Sequence, residues 1–152
     1  MSGERYHRDA LLALVARVVE REFGEGALEA LLEWRDERTR ERWRGIAKST
    51  GRSDPEYLFR LFSEEAHEFE VMRKDRDALE VKVTRCVHAD AFKRFNATNV
   101  GRKLICDGDY AVVEGFNPRI KFTRPKLLMA GDDCCHFKFE LHERLPSVNQ
   151  AR

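Results

Sequence analysis

The sequence is 152 residues long, with 42% hydrophobic and 36% charged residues and a net charge of +1 at pH 7. This length suits one domain, and the near-neutral charge excludes the strong field that drives nucleic-acid or anionic-membrane binding. No apolar run reaches the roughly 18 residues of a membrane span and no export signal is evident, so a cytoplasmic protein is expected.

The first half of the chain, about residues 5–76, has the spacing of amphipathic helices. A first helix is predicted from four aliphatic residues at i, i+3, i+4 and i+7, which form one apolar stripe. A second helix is predicted from about Leu28 to Ile46, with a solvated face of alternating arginines and carboxylates at 35–44. The stripe residues of the first helix are Leu11, Leu14, Val15 and Val18.

A third helix is predicted to start at the capping residues Ser53 and Asp54, since a proline follows them at the first turn. Its apolar residues fall about one turn apart, and the pattern stops at a charged turn, 74–77. His67 lies beside this face, where a lone histidine is more often a packing or surface residue than a ligand. The face consists of Leu58, Phe62, Ala66 and Phe69.

From about residue 77 to 142 the hydrophobic period changes to two, which is typical of half-buried strands. Strands are predicted at 79–84, at 120–123 and from the turn 131–133 to about 142, and helices at about 88–95 and 101–116. Residues 143–152 are expected to be a frayed tail. The chain, 1–152, is therefore predicted to be a single α+β domain, with a helical N-terminal half packed on a small antiparallel sheet with inserted helices.

All four cysteines fall in this second half. In a cytosolic protein such a group indicates metal ligation or catalysis rather than disulfides, although single cysteines are often small buried hydrophobes. Strand alternation places Cys135 on the inward face with Phe137, and Cys134 on the polar face with His136. Cys86 has the parity of the polar positions in its strand, so it joins the others only if that strand twists or ends. The four are Cys86, Cys106, Cys134 and Cys135.

Two charged residues, Asp109 and Arg124, are predicted to point into the fold. Asp109 falls on the apolar stripe of its helix one turn after Cys106, whereas Asp107 points away into solvent. A carboxylate on such a stripe must be paired, hydrogen-bonded or metal-bound, and an arginine partner explains it as well as a site role does. Arg124 has inward strand parity, where a guanidinium suits a substrate carboxylate, unless Pro125 ends the strand and turns it outward.

Between Val83 and Leu141 these residues form a set of motifs. The set is a cysteine after the first strand, a Cys-x-x-Asp helix, Gly-Phe-x-Pro, an inward arginine, and a Gly-x-x-x-Cys-x-Phe strand. The residues are Cys86, Cys106, Asp109, Gly115, Phe116, Pro118, Arg124, Gly131, Cys135 and Phe137. The set resembles the L-2-amino-thiazoline-4-carboxylic acid hydrolase family. It is also similar to vinyl-reductase-type ligand-binding domains, which are not all enzymes.

The resemblance implies a hydrolase that opens a small cyclic amidine, giving an N-carbamoyl amino acid from a thiazoline ring. The implied catalytic residues are Cys86, Cys106, Asp109 and Cys135, and the implied substrate-binding residues are Arg124, Phe116 and His136. In one mechanism a cysteine thiolate attacks while Asp109 or His136 moves protons. In the other, zinc held by Cys86, Cys106 and Cys135 with Asp109 activates a water. The thiol is slightly favoured, because the Cys-x-x-Cys spacing of zinc sites is missing.

Three classes of function are thus open, in this order: a hydrolase, a non-catalytic ligand-binding or sensor domain with a structural metal, and an adaptor that uses its charged helix. The expected partner is a small-molecule substrate, with neither nucleic acid nor membrane. No cofactor is certain, and zinc is the one candidate. The sequence leaves open whether the chain forms a homo-oligomer.

Overall fold

The computed structural model describes residues 2–142, so the predicted tail at 143–152 lies outside the described residues. Two long helices come first, α1 (Ser2–Phe23) and α2 (Glu25–Thr50). Gly24 separates them with a φ of 84°, a backbone conformation that favours glycine. Both predicted N-terminal helices are confirmed, and each extends beyond its predicted bounds.

The apolar stripe of α1 is exposed rather than packed, with Leu11 63% accessible. The buried face of this helix consists instead of Asp9, Ala13 and Ala16, at spacings of four and three residues. These short side chains allow α1 to lie close to the helices behind it. The periodicity therefore predicts the helix correctly, but the most apolar face is not the one in the core.

The predicted third helix is wrong beyond Leu61. Pro55–Leu61 form a 3₁₀ helix, and the chain then enters a strand, β1 (His67–Lys74), which the sequence patterns did not predict. The helical region thus ends near residue 61 rather than at 76. Residues 68–71 alternate Glu, Phe, Glu and Val, which is the period of a strand, and a neighbouring strand supplies the backbone partners that stabilise it.

The remaining strands confirm the three that were predicted, and with β1 they form one antiparallel sheet in the order β1-β2-β4-β3. They are β2 (Ala78–Cys86), β3 (Ile120–Thr123) and β4 (Cys135–Leu141). The short helix after β2 is α3 (Val87–Arg94), close to its predicted bounds. The α+β fold class is therefore confirmed.

The helix predicted at 101–116 is broken into three pieces: α4 (Thr98–Gly101), a π-helical turn (Arg102–Cys106) and α5 (Gly108–Phe116). Gly101 is tightly packed, since a Cβ there would lie 2.5 Å from the Phe92 ring. Gly115 lets α5 approach α2, because a Cβ would lie 2.5 Å from the backbone oxygen of Arg40. Close packing on both sides thus fixes where these helical pieces lie.

The core lies between the helices and one face of the sheet, and includes Phe92, Phe139 and Leu28, all fully buried. Within residues 2–142, no helix is both long and apolar enough to cross a bilayer. One end of this core opens into a small cavity, where α3, α5 and the sheet meet.

Candidate active site

A cavity of ≈ 130 Å³ opens beside β2 and β4. Most of its wall is apolar, and the apolar residues include Phe62, Phe137, Ile105 and Leu127. A cavity of about 150 Å³ is known to take one benzene molecule, so this space suits a ligand built on one small ring. The polar lining residues are His67, Cys86, His88, Cys106, Asp109, Arg124 and Cys135.

Cys135 reaches the cavity by ordinary strand alternation. It begins β4, is buried, and lies opposite Val83 of β2, which also lines the cavity. Its sulfur accepts a hydrogen bond from the backbone N–H of Leu128 at 3.2 Å. The inward prediction for Cys135 is thus confirmed.

Cys86 reaches the same cavity through a β-bulge. Phe69 of β1 pairs with Val83, and the preceding Glu68 pairs with Arg85, which leaves Thr84 as an extra residue with no partner opposite it. One extra residue inverts the side-chain parity of the rest of the strand, so Cys86 turns inward although regular alternation would turn it outward. The bulge is the strand irregularity that an inward Cys86 requires, and the sequence alone does not locate it.

Cys106 ends the π-helical turn, where the i to i−4 hydrogen-bond pattern is interrupted. Arginines from elsewhere in the fold bind the carbonyl groups of this segment. Arg35 of α2 donates to the carbonyl oxygens of Lys103, at 3.1 Å, and Leu104. Arg124 donates to the carbonyl oxygen of Cys106 at 2.9 Å. The irregular turn is therefore held in place from two sides.

Arg124 and Asp109 form an ion pair in the cavity wall. The Arg124 side chain is 3% exposed, and its Nη1 donates to Asp109 Oδ2 at 2.7 Å. Its inward parity is confirmed, and Pro125 does not turn it out. Asp107 was expected to point away, but its Oδ1 lies 3.6 Å from Arg124 Nη2, although the side chain is partly exposed. Arg124 thus lies between two carboxylates.

Burial controls the ionisation of these groups. It raises the pKa of Asp109 to about 6, against the opposing effect of the Arg124 guanidinium. Burial also raises the pKa of the Cys86 thiol to about 11 and that of Cys106 to about 12, and it raises the pKa of Cys135. At neutral pH the cavity therefore holds neutral thiols beside a carboxyl group that titrates near the ambient pH.

A family model described as L-2-amino-thiazoline-4-carboxylic acid hydrolase matches residues 4–139. The chain belongs to this family. The match includes α1 and α2, which the resemblance over Val83 to Leu141 did not cover. No curated protein matches the sequence.

One solved structure similar to this family member is a trafficking protein particle complex subunit 3 from Naegleria fowleri, covalently bound to palmitic acid. The two chains share 15% identity over 92% of this chain and 98% of the other, with a TM-score of 0.43.

Two residues expected around the substrate lie elsewhere in the fold. Phe116 is a core residue, stacked on Tyr57 with ring centroids 5.3 Å apart. His136 lies on the opposite face of the sheet from the cavity, where its Nε2 is 2.6 Å from Glu80 Oε1. Strand parity alone separates His136 from Cys135. Both substrate-binding expectations are therefore corrected.

Cys134 was predicted to lie on the polar face of its strand, and its charged neighbours are Asp133, Lys126 and Lys82. It precedes β4, is buried, and does not line the cavity. The residues before a strand are not bound by its alternation, so two adjacent cysteines are both buried here.

The zinc hypothesis does not fit the arrangement of side chains. Within residues 2–142, no three His, Cys, Asp or Glu side chains are grouped so that they would hold a metal ion. Cys86, Cys106 and Cys135 share the cavity without forming such a set, even with Asp109 beside them.

Sequence reasoning missed the histidines of the cavity. His88, at the start of α3, lines it, and its Nδ1 contacts Oδ2 of the fully buried Asp9. His67, expected to be a packing or surface residue, lines the cavity too, and burial lowers its pKa to about 4. One feature of the sequence could have indicated such a contact: Asp9 lies on the same face of α1 as Ala13, and a carboxylate on a buried face requires a partner.

Proposed function

We propose that this protein is a hydrolase that opens a small cyclic amidine of the aminothiazoline-carboxylate type in the cavity beside Asp109. The observation that carries the proposal is a carboxyl group with a pKa of about 6, held by a buried arginine in a ring-sized cavity with three thiols. A general base works best when its pKa lies near the operating pH. Membership of the family points to the same reaction.

The reaction adds one water to the ring carbon that lies between nitrogen and sulfur. A nucleophile attacks this electron-poor carbon, the carbon–sulfur bond breaks, and the ring sulfur leaves as a thiol. The product is an N-carbamoyl amino acid. Asp109 is the proposed proton acceptor, because it is ionised above about pH 6 and lines the cavity. The nucleophile is a cavity thiol or a water molecule.

Arg124 has two proposed roles. Its Nη1 holds Asp109, at 2.7 Å, in one orientation. Its Nη2 is 3.6 Å from Asp107, longer than an ordinary hydrogen bond, which leaves this nitrogen for the carboxylate of an entering substrate. A substrate acid group bound there adds a charge-assisted hydrogen bond without breaking the Asp109 pair. Arg124 is thus proposed to bind the substrate carboxylate through Nη2 alone rather than through two parallel hydrogen bonds.

A non-catalytic ligand-binding domain is the second candidate, and the high pKa values of Cys86 and Cys106 favour it. A thiol that stays protonated at neutral pH is a poor nucleophile unless a base removes its proton during the attack. In this alternative the same cavity binds a small ring and leaves it intact.

The test is incubation of the purified protein with L-2-amino-thiazoline-4-carboxylate, followed by mass spectrometry and calorimetry. The hydrolase proposal expects catalytic conversion to a product heavier by one water. Binding in the calorimeter without conversion would favour the ligand-binding domain. If the protein neither binds nor converts the compound, a site for this substrate is refuted. Structurally related cyclic amidines in the same assay delimit the substrate class.

A further inference from the structure

The cavity contains a histidine that the proposed function does not use. His88 belongs to the first turn of α3, and its Nδ1 contacts Oδ2 of Asp9, which lies 79 residues earlier on α1. With Nδ1 occupied in this way, Nε2 is the ring nitrogen available to the cavity that His88 lines. The imidazole is thus held at Nδ1, while Nε2 has no hydrogen-bond partner within residues 2–142.

Burial of the Asp9 carboxylate is unfavourable in free energy. Its side chain is 0% exposed, and besides His88 its only described partner is Arg8, whose Nη2 lies 3.1 Å from Oδ1 and which is itself more than half exposed. Burying a carboxylate costs free energy unless it is paired and hydrogen-bonded. A contact that holds a cavity imidazole in one orientation gives this carboxylate a role beyond packing.

Cys86 is the cavity thiol nearest to His88 along the chain, two residues before it. It occupies the N-cap position of α3, where the backbone N–H groups of Ala89 and His88 act to lower its pKa against the effect of burial. A helix N-terminus stabilises a thiolate once it forms. Cys106, in contrast, ends the π-helical turn and has the higher thiol pKa.

We propose that Cys86, His88 and Asp9 form a nucleophilic relay, in which His88 Nε2 accepts the Cys86 thiol proton and Asp9 fixes the imidazole. Cys86 is the proposed catalytic nucleophile, His88 the base and Asp9 a positioning residue. An aspartate on Nδ1 selects the tautomer whose Nε2 accepts a proton. The relay's role in ring opening rests on the proposed function, whereas the reactivity of its thiol does not.

The proposed step conserves atoms and electrons. The Cys86 sulfur bonds to the ring carbon while its proton moves to His88 Nε2; the ring carbon–sulfur bond then breaks, and the leaving sulfur takes that proton. The amidino group stays on Cys86 as an isothiourea. Water then adds to the same carbon and loses a proton to Asp109, and the Cys86–carbon bond breaks as the Cys86 sulfur takes that proton from Asp109. One water is consumed, so His88 serves the attack of the thiol and Asp109 serves the attack of the water.

His67 does not compete with this relay for a proton. Its ring centroid lies 5.9 Å from that of His88, and its pKa is lowered to about 4 by burial and by the neighbouring His88 and Arg5 charges. It is therefore neutral at pH 7 and adds no positive charge to the cavity. The cavity thus has one histidine with a carboxylate partner and one without.

The test is alkylation of the full-length protein with iodoacetamide at a fixed neutral pH, with each cysteine mapped by peptide mass spectrometry. Cys86 is expected to react first. His88→Gln and Asp9→Asn should each slow Cys86 by about tenfold or more, the lower range of general-base effects. His136→Gln is the matched control, because His136 also has a carboxylate partner but lies outside the cavity, and it should leave the Cys86 rate unchanged.

The readout specific to Asp9 is the tautomer of His88, followed by nitrogen-15 NMR of the imidazole. Asp9→Asn should increase the tautomer protonated on Nε2, whereas a merely structural role would leave the tautomer unchanged. If Asp9→Asn does not fold, His88→Gln carries the test, since its substitution removes no fully buried group.

Earlier alkylation of Cys106 or Cys135 than of Cys86 would overturn the relay. So would an unchanged Cys86 rate in folded His88→Gln. Failure of ring opening with Cys86 still activated by His88 would refute only the proposed substrate, whereas ring opening that survives Cys86→Ala would refute only the relay.

Discussion

Asp109 changes charge close to neutral pH because burial raises its pKa to about 6. Asp109→Asn keeps the size and the hydrogen-bonding oxygen of the side chain but removes the base. We expect the variant to fold and its kcat to fall by roughly 10²–10⁴, the usual contribution of a general base. Steady-state kinetics and a thermal unfolding curve on the same sample measure both.

Asp107→Asn is the matched control, two residues away in the same helical segment. Its carboxylate is partly exposed and lies 3.6 Å from Arg124, which is longer than an ordinary hydrogen bond. We therefore expect little change in kcat or in stability. Equal losses of activity in both variants, or unfolding of Asp109→Asn alone, would make Asp109 a structural carboxylate.

The pH dependence of the wild-type reaction is set by the same group. A base must be ionised, so kcat/KM, which reports the free enzyme, should be constant above the Asp109 pKa and fall as the pH drops through about 6. Profiles of kcat/KM recorded at constant ionic strength between about pH 4.5 and 8 locate this limb. A limb near pH 4, the range of an ordinary carboxyl group, would indicate that Asp109 is not the group responsible.

Arg124 should discriminate the substrate's acid group from its carboxamide. A charge-assisted hydrogen bond contributes about 1.5–3 kcal/mol, so the affinity ratio of acid to amide should fall roughly ten- to a hundredfold in Arg124→Ala. Using the ratio cancels the effect that this substitution has through Asp109. Arg124→Lys should recover only part of it. Calorimetric titration of both ligands into wild type and variants gives the ratio, and an unchanged ratio would mean that the acid group binds elsewhere.

At the scale of elements, the bulge at Thr84 determines which face Cys86 occupies. The pairings Phe69–Val83 and Glu68–Arg85 are consecutive once Thr84 is ignored. Deletion of Thr84 should therefore restore a regular ladder and keep Cys86 inward, whereas one alanine inserted between Glu68 and Phe69 would give Thr84 a partner and turn Cys86 outward. Labelling of native protein with a charged maleimide, mapped to Cys86, distinguishes the two. Equal protection of Cys86 in both variants would contradict this account.

The elements themselves were largely predictable from the sequence, because period-two and helical patterns identify β2, β3, β4, α2 and α3. Strand β1 was missed because Phe62, Ala66 and Phe69 also satisfy a helical spacing, and only pairing with β2 decides between the two structures. The break in the helix predicted at 101–116 depends on arginines from distant segments that bind its carbonyls. Tertiary contacts decide whether such a segment is a helix or a strand and where a helix breaks, and local sequence patterns carry no information about those contacts.

The candidate site shows the same division. Parity places Cys135 and Arg124 correctly, since each lies on or just after a regular strand. His136 and Phe116 were assigned to the cavity from the resemblance alone, and their own parity and packing place them elsewhere. Asp9 could not be assigned, because its partner is 79 residues away. Local rules thus predict orientation, while the identity of a distant partner requires the fold.

For the whole molecule, stability should depend on position rather than on apolar character. Leu28 and Leu31 lie one turn apart on α2, but Leu28 is 0% exposed and Leu31 is 50% exposed. Leu28→Ala should lower the free energy of unfolding by about 2–5 kcal/mol, because it leaves a cavity in the core. Leu31→Ala should change it by at most about 0.5 kcal/mol. Urea denaturation measures both, and similar losses would mean that the surface of α2 is covered in solution.

The Asp9–His88 contact also bears on how the molecule folds. It joins two positions 79 residues apart, so forming it requires closure of a long loop whose entropic cost nothing local repays. Contacts of such high sequence separation slow folding, and they form after the hairpins and helices that need only short loops. A refolding chain can therefore form the local hairpin of β1 and β2, which ends at Cys86, while the imidazole still lacks its carboxylate. The proposed relay is then complete only once α1 has packed against α3, late in folding.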